Sequence, residues 1–154
     1  QNAVATALPW PENLGWQVVW SGTSAITTDH IAHFDEWRKQ ADLEPLNRLS
    51  DLSSRLSDTP TVSLLAAYQQ ALMDLDNAAD LKIFSAEHQE LVKIASALGL
   101  IYKPCGAGGG DIGIAFTDVT QGTNALEDFR NAATAAGFYC PTLETDQHGV
   151  RLAQ

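Results

Sequence analysis

The sequence predicts an α+β sandwich of the split βαβ kind, an antiparallel sheet with helices on one face. Three features carry that prediction: a lone strand-like run near the start, two short β-rich runs separated only by GAGGGD, and helical periodicity between and after them. The 154 residues fit one domain, and 45% apolar with 18% charged residues is the balance of a packed globule.

Residues 1–15 hold Pro9 and Pro11 around Trp10 and read as a linker or edge segment, which leaves 16–154 as the domain proper. Trp16 to Trp20, WQVVW, is aromatic and β-branched and ends at Ser21-Gly22, as a buried strand does. After the hydroxyl-rich SGTSAITT, Thr28 or Asp29 is placed to cap a helix running to about Gln40, with Ile31, Phe34 and Trp37 facing inward. Leu46, Leu49, Leu52 and Leu56 repeat that spacing in a second helix. Thr59-Pro60 reads as a cap with proline at the first position of a third helix, whose stripe Val62, Leu65, Leu72, Leu75 and Ala79 extends to about Asp80. Ser85 caps a fourth helix with Glu87 in its first turn; Leu91, Ile94 and Leu98 face inward and Gly99 stops it.

LIYKPC and IGIAFTD lie too close together for a crossover helix, so they pair antiparallel through GAGGGD. A last helix from Asn124 to Ala136 turns Leu126, Phe129 and Ala133 inward before Gly137. Phe138 to Leu143 and Val150 to Leu152 read as strands around the turn DQHG.

Nine Lys plus Arg against nineteen Asp plus Glu leave a net charge of −10, which repels nucleic acid and anionic membranes. No apolar run approaches the roughly 20 residues of a membrane helix, and the first residues lack the pattern of a signal peptide. Cys105 and Cys140 form no CxxC or Cys/His metal pattern. A soluble, cytoplasmic protein is the expectation.

Five of the eleven glycines lie between Gly106 and Gly113. So dense a cluster points to a backbone that takes positive φ or approaches a ligand closely, and successive N–H groups in such a turn hold an anion, with phosphate the natural guest. The plainer alternative is a tight hairpin, although hairpins usually need only one or two glycines. A Walker loop does not fit, because GxxxxGK[ST] is absent, and GAGGGD departs from GxGxxG at Asp111. Asp111 is expected to brace the loop by accepting from its N–H groups rather than to move a proton. Lys103 either neutralises phosphate or is merely a strand-edge lysine. His30 and His33 with Asp29 offer helical spacing but no third ligand, so no metal site is assigned; His88 and His148 read as surface residues.

KPCGAGGGDIGIAF resembles the third motif of the GHMP kinases, the superfamily of galactokinase, homoserine kinase, mevalonate kinase and phosphomevalonate kinase. Phosphomevalonate kinases typically read KPSGAGGGDCGIA there, so Lys103, Pro104, Gly106, Ala107, Gly108, Gly109, Gly110, Asp111 and Gly113 to Ala115 match. Cys105 stands for the usual Ser and Ile112 for the usual Cys. The segment GWQVVWSGTSAITTDHI is similar to the family's GW-x-G-x-x-A-S-T stretch, which makes Thr23 and Ser24 the candidate substrate hydroxyls. The resemblance spans nearly the whole chain and implies a ferredoxin-like C-terminal domain of an ATP- and Mg²⁺-dependent kinase.

It also implies a phosphorylated small-molecule substrate gripped by Lys103, Cys105, the glycine loop and the Thr23-Ser24 turn. The superfamily's nucleotide motif, PxxxGLGSSAA, does not occur here, and the catalytic Asp and Lys of these kinases lie upstream of the matched region. The resemblance therefore implies no catalytic residue on this chain, most of the ATP and Mg²⁺ contacts on an N-terminal kinase domain, and no activity for the chain alone. A fragment and one half of a split enzyme both fit. So does a different class, a non-catalytic ferredoxin-like module that keeps the loop for regulation or partner binding.

Overall fold

A computed structural model describes residues 10–24, 27–121 and 124–144. The elements run β1 (Leu14–Trp20), α1 (Thr27–Trp37), α2 (Glu44–Asp58), α3 (Val62–Ala79), α4 (Ala86–Ala97), β2 (Ile101–Pro104), β3 (Ile112–Asp118), a single 3-10 turn (Val119–Gln121) and α5 (Ala125–Ala135). The side chains of Thr28, Asp29 and His30, the turn with His148 and the expected strand at 150–152 lie outside the described residues.

β3 pairs antiparallel with both β1 and β2, in the order β1-β3-β2. β1 and β2 therefore run parallel with β3 between them, which is the split βαβ arrangement, and α1 to α4 form the crossover. On the free edge of β1 the expected strand 138–143 reduces to one antiparallel bridge, Tyr139 to Trp20. Pro141 has no N–H to extend a ladder, and its carbonyl instead accepts from the Gln17 amide at 3.0 Å.

Alternation along the strands sets two faces. Val19, Tyr102 and Ala115 point to the face covered by α4 and α5, where Leu91, Ala95, Phe129 and Ala133 complete a core without solvent exposure. Each large apolar side chain buried there contributes about 1.5–3 kcal/mol. The expected helical layer is this one, but helices are not confined to it. Leu14 and Phe116 point the other way and pack with Leu65 of α3, while Leu56 of α2 closes over them. A long crossover carrying two apolar helices has to bury them somewhere, and this end of the second face receives them.

The helix ends show where sequence signals compete. Ser85 caps α4, accepting from the His88 N–H, and Gly99 with φ 73 ends it. Thr61, not Thr59, caps α3 by accepting from the Leu64 N–H at 3.2 Å. Thr59 instead closes α2, donating its N–H to the Arg55 carbonyl, and Pro60 bridges the two helices. Among its described residues α1 meets the core through Phe34 and Trp37; Ile31 is exposed. Among the described residues no helix is long and apolar enough to cross a membrane.

Candidate functional site

The β2-β3 hairpin closes with Pro104 opposite Gly113, and the Cys105 N–H donates to the Ile112 carbonyl at 2.9 Å. Beyond this neck the chain turns through left-handed backbone at Gly106, Gly108, Gly109 and Asp111, with φ of 65, 77, 75 and 59. Glycine adopts that region freely and aspartate better than most residues, so the six-residue pattern is written by backbone need.

The loop rests on the α3-α4 connection. The Asp76 carboxylate accepts from the N–H groups of Ile83 and Phe84, both at 2.9 Å, and fixes that connection. The Ile83 carbonyl then accepts the Gly109 N–H at 2.8 Å. A Cβ on Gly108 would sit 2.5–2.8 Å from the Cγ2, Cα and carbonyl oxygen of Ile83, so the glycine there is required by packing as well as by φ. Packing against the α3-α4 connection thus accounts for Gly108 and for the Gly109 N–H without a ligand.

On its other side the loop is tied to the turn after β1. Asp111 donates its N–H to the Thr23 carbonyl at 2.6 Å, and its carbonyl accepts from the Ser21 N–H at 2.7 Å. Buried Ser21 shapes the turn, its Oγ contacting the Thr23 carbonyl at 3.1 Å, while Thr23 and Ser24 stay exposed. The structure therefore brings the Thr23-Ser24 turn and the glycine loop side by side. Asp111 makes the junction with its main chain; its side chain is exposed and forms no hydrogen bond among the described residues, so the expected bracing by the carboxylate is replaced by bracing through the peptide group.

His88 is a correction to the sequence reading. It is fully buried under the loop, with Nε2 2.9 Å from the Gly110 carbonyl and Nδ1 2.7 Å from the Tyr102 hydroxyl. The signal was present: His88 stands three and seven residues before Leu91 and Ala95, on the apolar stripe of α4. Burial lowers the ring's pKa, so it is neutral at pH 7. Gly113 belongs to the same arrangement, because a Cβ there would run into the Tyr102 ring and hydroxyl.

Lys103 extends from the opposite side of the sheet, its Nζ 5.8 Å from the centre of the Tyr68 ring, and it joins none of the ion pairs among the described residues. Cys105 is half-buried; burial pushes its thiol pKa up and nearby Lys103 only partly opposes this, so the sulfur is a protonated thiol at neutral pH. Among the described residues no three His, Cys, Asp or Glu side chains cluster as a metal site would need. A hollow of about 570 Å³ lies between α1 and the end of α3 and shares no residue with the loop. There exposed His33 bonds the Ala79 carbonyl at 2.8 Å.

What the arrangement offers chemically is unpaired backbone. The N–H groups of Gly106, Ala107, Gly108 and Gly110 donate to no acceptor among the described residues, whereas those of Cys105, Gly109 and Asp111 are committed. Gly106, Ala107 and Gly108 are consecutive, and consecutive free N–H groups are the kind of backbone that suits an anion.

A split βαβ sheet carrying this loop defines the class: the chain is a GHMP-kinase-related C-terminal domain. Within that superfamily it is related to the phosphomevalonate kinases. It is 32% identical over 121 residues to the phosphomevalonate kinase of Streptomyces sp. strain CL190, an alignment covering 72% of this chain and 32% of that protein. Solved structures share the fold, among them the following two. A Lin0012 protein from Listeria innocua superposes with a TM-score of 0.77 at 20% identity, over 91% of this chain and 41% of that one. Streptococcus pneumoniae phosphomevalonate kinase, in complex with phosphomevalonate and AMPPNP, gives 0.67 at 16% identity, over 83% and 39%. No family model matches the chain. The chain spans 32% of the length of the curated relative, about a third.

Proposed function

We propose that this chain is the C-terminal domain of an ATP-dependent kinase of the phosphomevalonate kinase type, and that its glycine loop holds the phosphate of a small phosphorylated acceptor. The observation that carries this is the set of four uncommitted N–H groups at Gly106, Ala107, Gly108 and Gly110, set beside the exposed hydroxyls of Thr23 and Ser24. In a chain of net charge −10 a phosphate needs such local help. The relationship to phosphomevalonate kinases supplies the class of acceptor and donor.

In this reading the chain's own work is binding and orientation. Loop N–H groups neutralise phosphate charge and the Thr23-Ser24 turn adds hydroxyl donors, while Lys103, expected to grip the phosphate, points to the Tyr68 side of the sheet and is left out of the cradle. Phosphoryl transfer needs little covalent chemistry from the protein, so a preorganised wall of donors is a large part of catalysis. No residue of this chain serves as base. Cys105, a protonated thiol, contacts the acceptor and does not attack it. ATP would supply the phosphoryl group, and the loop fits one of its phosphates as well as the acceptor's. Mg²⁺ finds no carboxylate cluster among the described residues and would be held by the nucleotide and by an N-terminal kinase domain. The working enzyme would be cytoplasmic, with residues 1–15 as linker or edge segment to the domain at 16–154, although β1 already begins at Leu14.

The test joins this chain to the N-terminal portion of the Streptomyces relative and measures ATP consumption with phosphomevalonate, beside the 154-residue chain alone. Turnover by the chimera and none by the chain supports the reading. Robust turnover by the chain alone refutes the division of labour, and a folded chimera that binds no phosphomevalonate favours a non-catalytic module.

A further inference from the structure

We infer that His88, acting with Tyr102, is the positioning residue of the glycine loop: it holds the Gly110 carbonyl inward and so keeps the loop in the conformation that leaves four N–H groups for an anion. This deepens the proposed function and rests on the reading of the loop as a phosphate cradle.

The hydrogen-bond chemistry admits one arrangement. The Gly110 carbonyl can only accept, so Nε2 carries the proton; in a neutral ring Nδ1 is then the acceptor, and the Tyr102 hydroxyl donates to it. Tyr102 holds the ring in this tautomer, and Gly113 leaves the space for Tyr102. The Gly110-Asp111 peptide is thereby fixed at both ends, its carbonyl to His88 and its N–H to the Thr23 carbonyl. It cannot rotate without losing both bonds, and its rotation would re-aim the neighbouring N–H groups.

Of the bonds that pin residues 105–111 among the described residues, the one from His88 is the only one made by a side chain; the rest are main chain to main chain. A leucine could fill the same buried volume without needing partners. What the imidazole adds over an apolar side chain is placement of the loop.

The test uses ¹⁵N-labelled chain, with His88→Gln, His88→Asn and Tyr102→Phe. Gln reaches the Nε2 position and keeps the donor to Gly110; Asn reaches only the Nδ1 position and loses it. Three readouts are taken: the imidazole ¹⁵N signature, hydrogen exchange at the Gly109 and Asp111 amides, and inorganic phosphate titrated against the amides of Gly106, Ala107, Gly108 and Gly110. The wild-type ring should report a neutral, Nε2-protonated tautomer. His88→Asn should speed Asp111 exchange and weaken phosphate by about tenfold, the factor carried by one hydrogen bond of ordinary net strength. His88→Gln should stay within about threefold of wild type.

Wild-type exchange and affinity in a folded His88→Asn would overturn the inference. If Asn does not fold, Tyr102→Phe decides: faster Asp111 exchange with a mixed tautomer supports it, and an unchanged ring and loop overturn it. If wild type does not respond to phosphate at all, the cradle reading fails by itself. Exchange at Asp111 then decides for or against positioning by His88.

Discussion

Adding one methyl group at Gly108 should cost far more than adding one at Gly106, although both glycines sit in the same loop with positive φ. At Gly106, φ is 65 and nothing lies within 4 Å of a new Cβ, so alanine carries only left-handed strain of roughly 1–2 kcal/mol. At Gly108, φ is 77 and the new Cβ also meets the Cγ2, Cα and carbonyl oxygen of Ile83 at 2.5, 2.6 and 2.8 Å. Two of those atoms are backbone held by the Asp76 carboxylate, so they cannot yield cheaply. Overpacking of this kind adds about 1–3 kcal/mol, for a total of roughly 2–5 kcal/mol. Equilibrium urea unfolding of both variants measures the difference, and exchange at the Gly109 amide shows whether its bond to Ile83 has opened locally instead. Equal losses at the two positions, with Gly109 still protected, would refute the packing argument.

Three further outcomes follow from the site. Asp111→Asn should change unfolding stability by no more than about 0.5 kcal/mol, because the carboxylate is exposed and bonded to none of the described residues; a larger loss in urea melts would restore a bracing role to the side chain. Cys105→Ser in an active chimera should preserve or improve phosphomevalonate turnover, and the wild-type thiol should alkylate slowly with iodoacetamide at neutral pH, since burial keeps it protonated; abolished turnover would make the thiol essential. His88 has its folded pKa lowered by burial, so the unfolded chain takes up a proton that the folded chain resists. Its contribution is full above the ordinary value of 6.5 and is lost as pH falls through that value toward the lowered one. Urea midpoints from about pH 8 to 5 should fall on that limb in wild type and stay flatter in His88→Gln; identical curves would place the ring's pKa at its ordinary value.

Much of the architecture was legible because local signals and tertiary need agreed. The short spacing between LIYKPC and IGIAFTD allowed only a hairpin, and Ser85 and Gly99 bracketed α4 by cap and left-handed stop. Legibility failed where a residue had two competing readings. Thr59 and Thr61 both resemble caps, and only the structure shows the first ending one helix and the second starting the next. Tyr139 sits beside β1, but Pro141 denies the ladder its next donor. The glycines could be read as a loop with left-handed backbone, yet its supports could not. His88 looks polar and therefore superficial until its place in the Leu91-Ala95 stripe is weighed above its chemistry. Asp76 and Ile83 support the loop through bonds that no local pattern encodes.

The proposed function requires the loop's free N–H groups to recognise a phosphate on a small acceptor. Titrating phosphomevalonate, and separately mevalonate, into the ¹⁵N-labelled chain tests it most directly. Saturable shifts at the amides of Gly106, Ala107, Gly108 and Gly110 with phosphomevalonate, and little response to mevalonate, are predicted. Equal responses to both ligands, or shifts confined to the Lys103-Tyr68 side of the sheet with the loop silent, would contradict it.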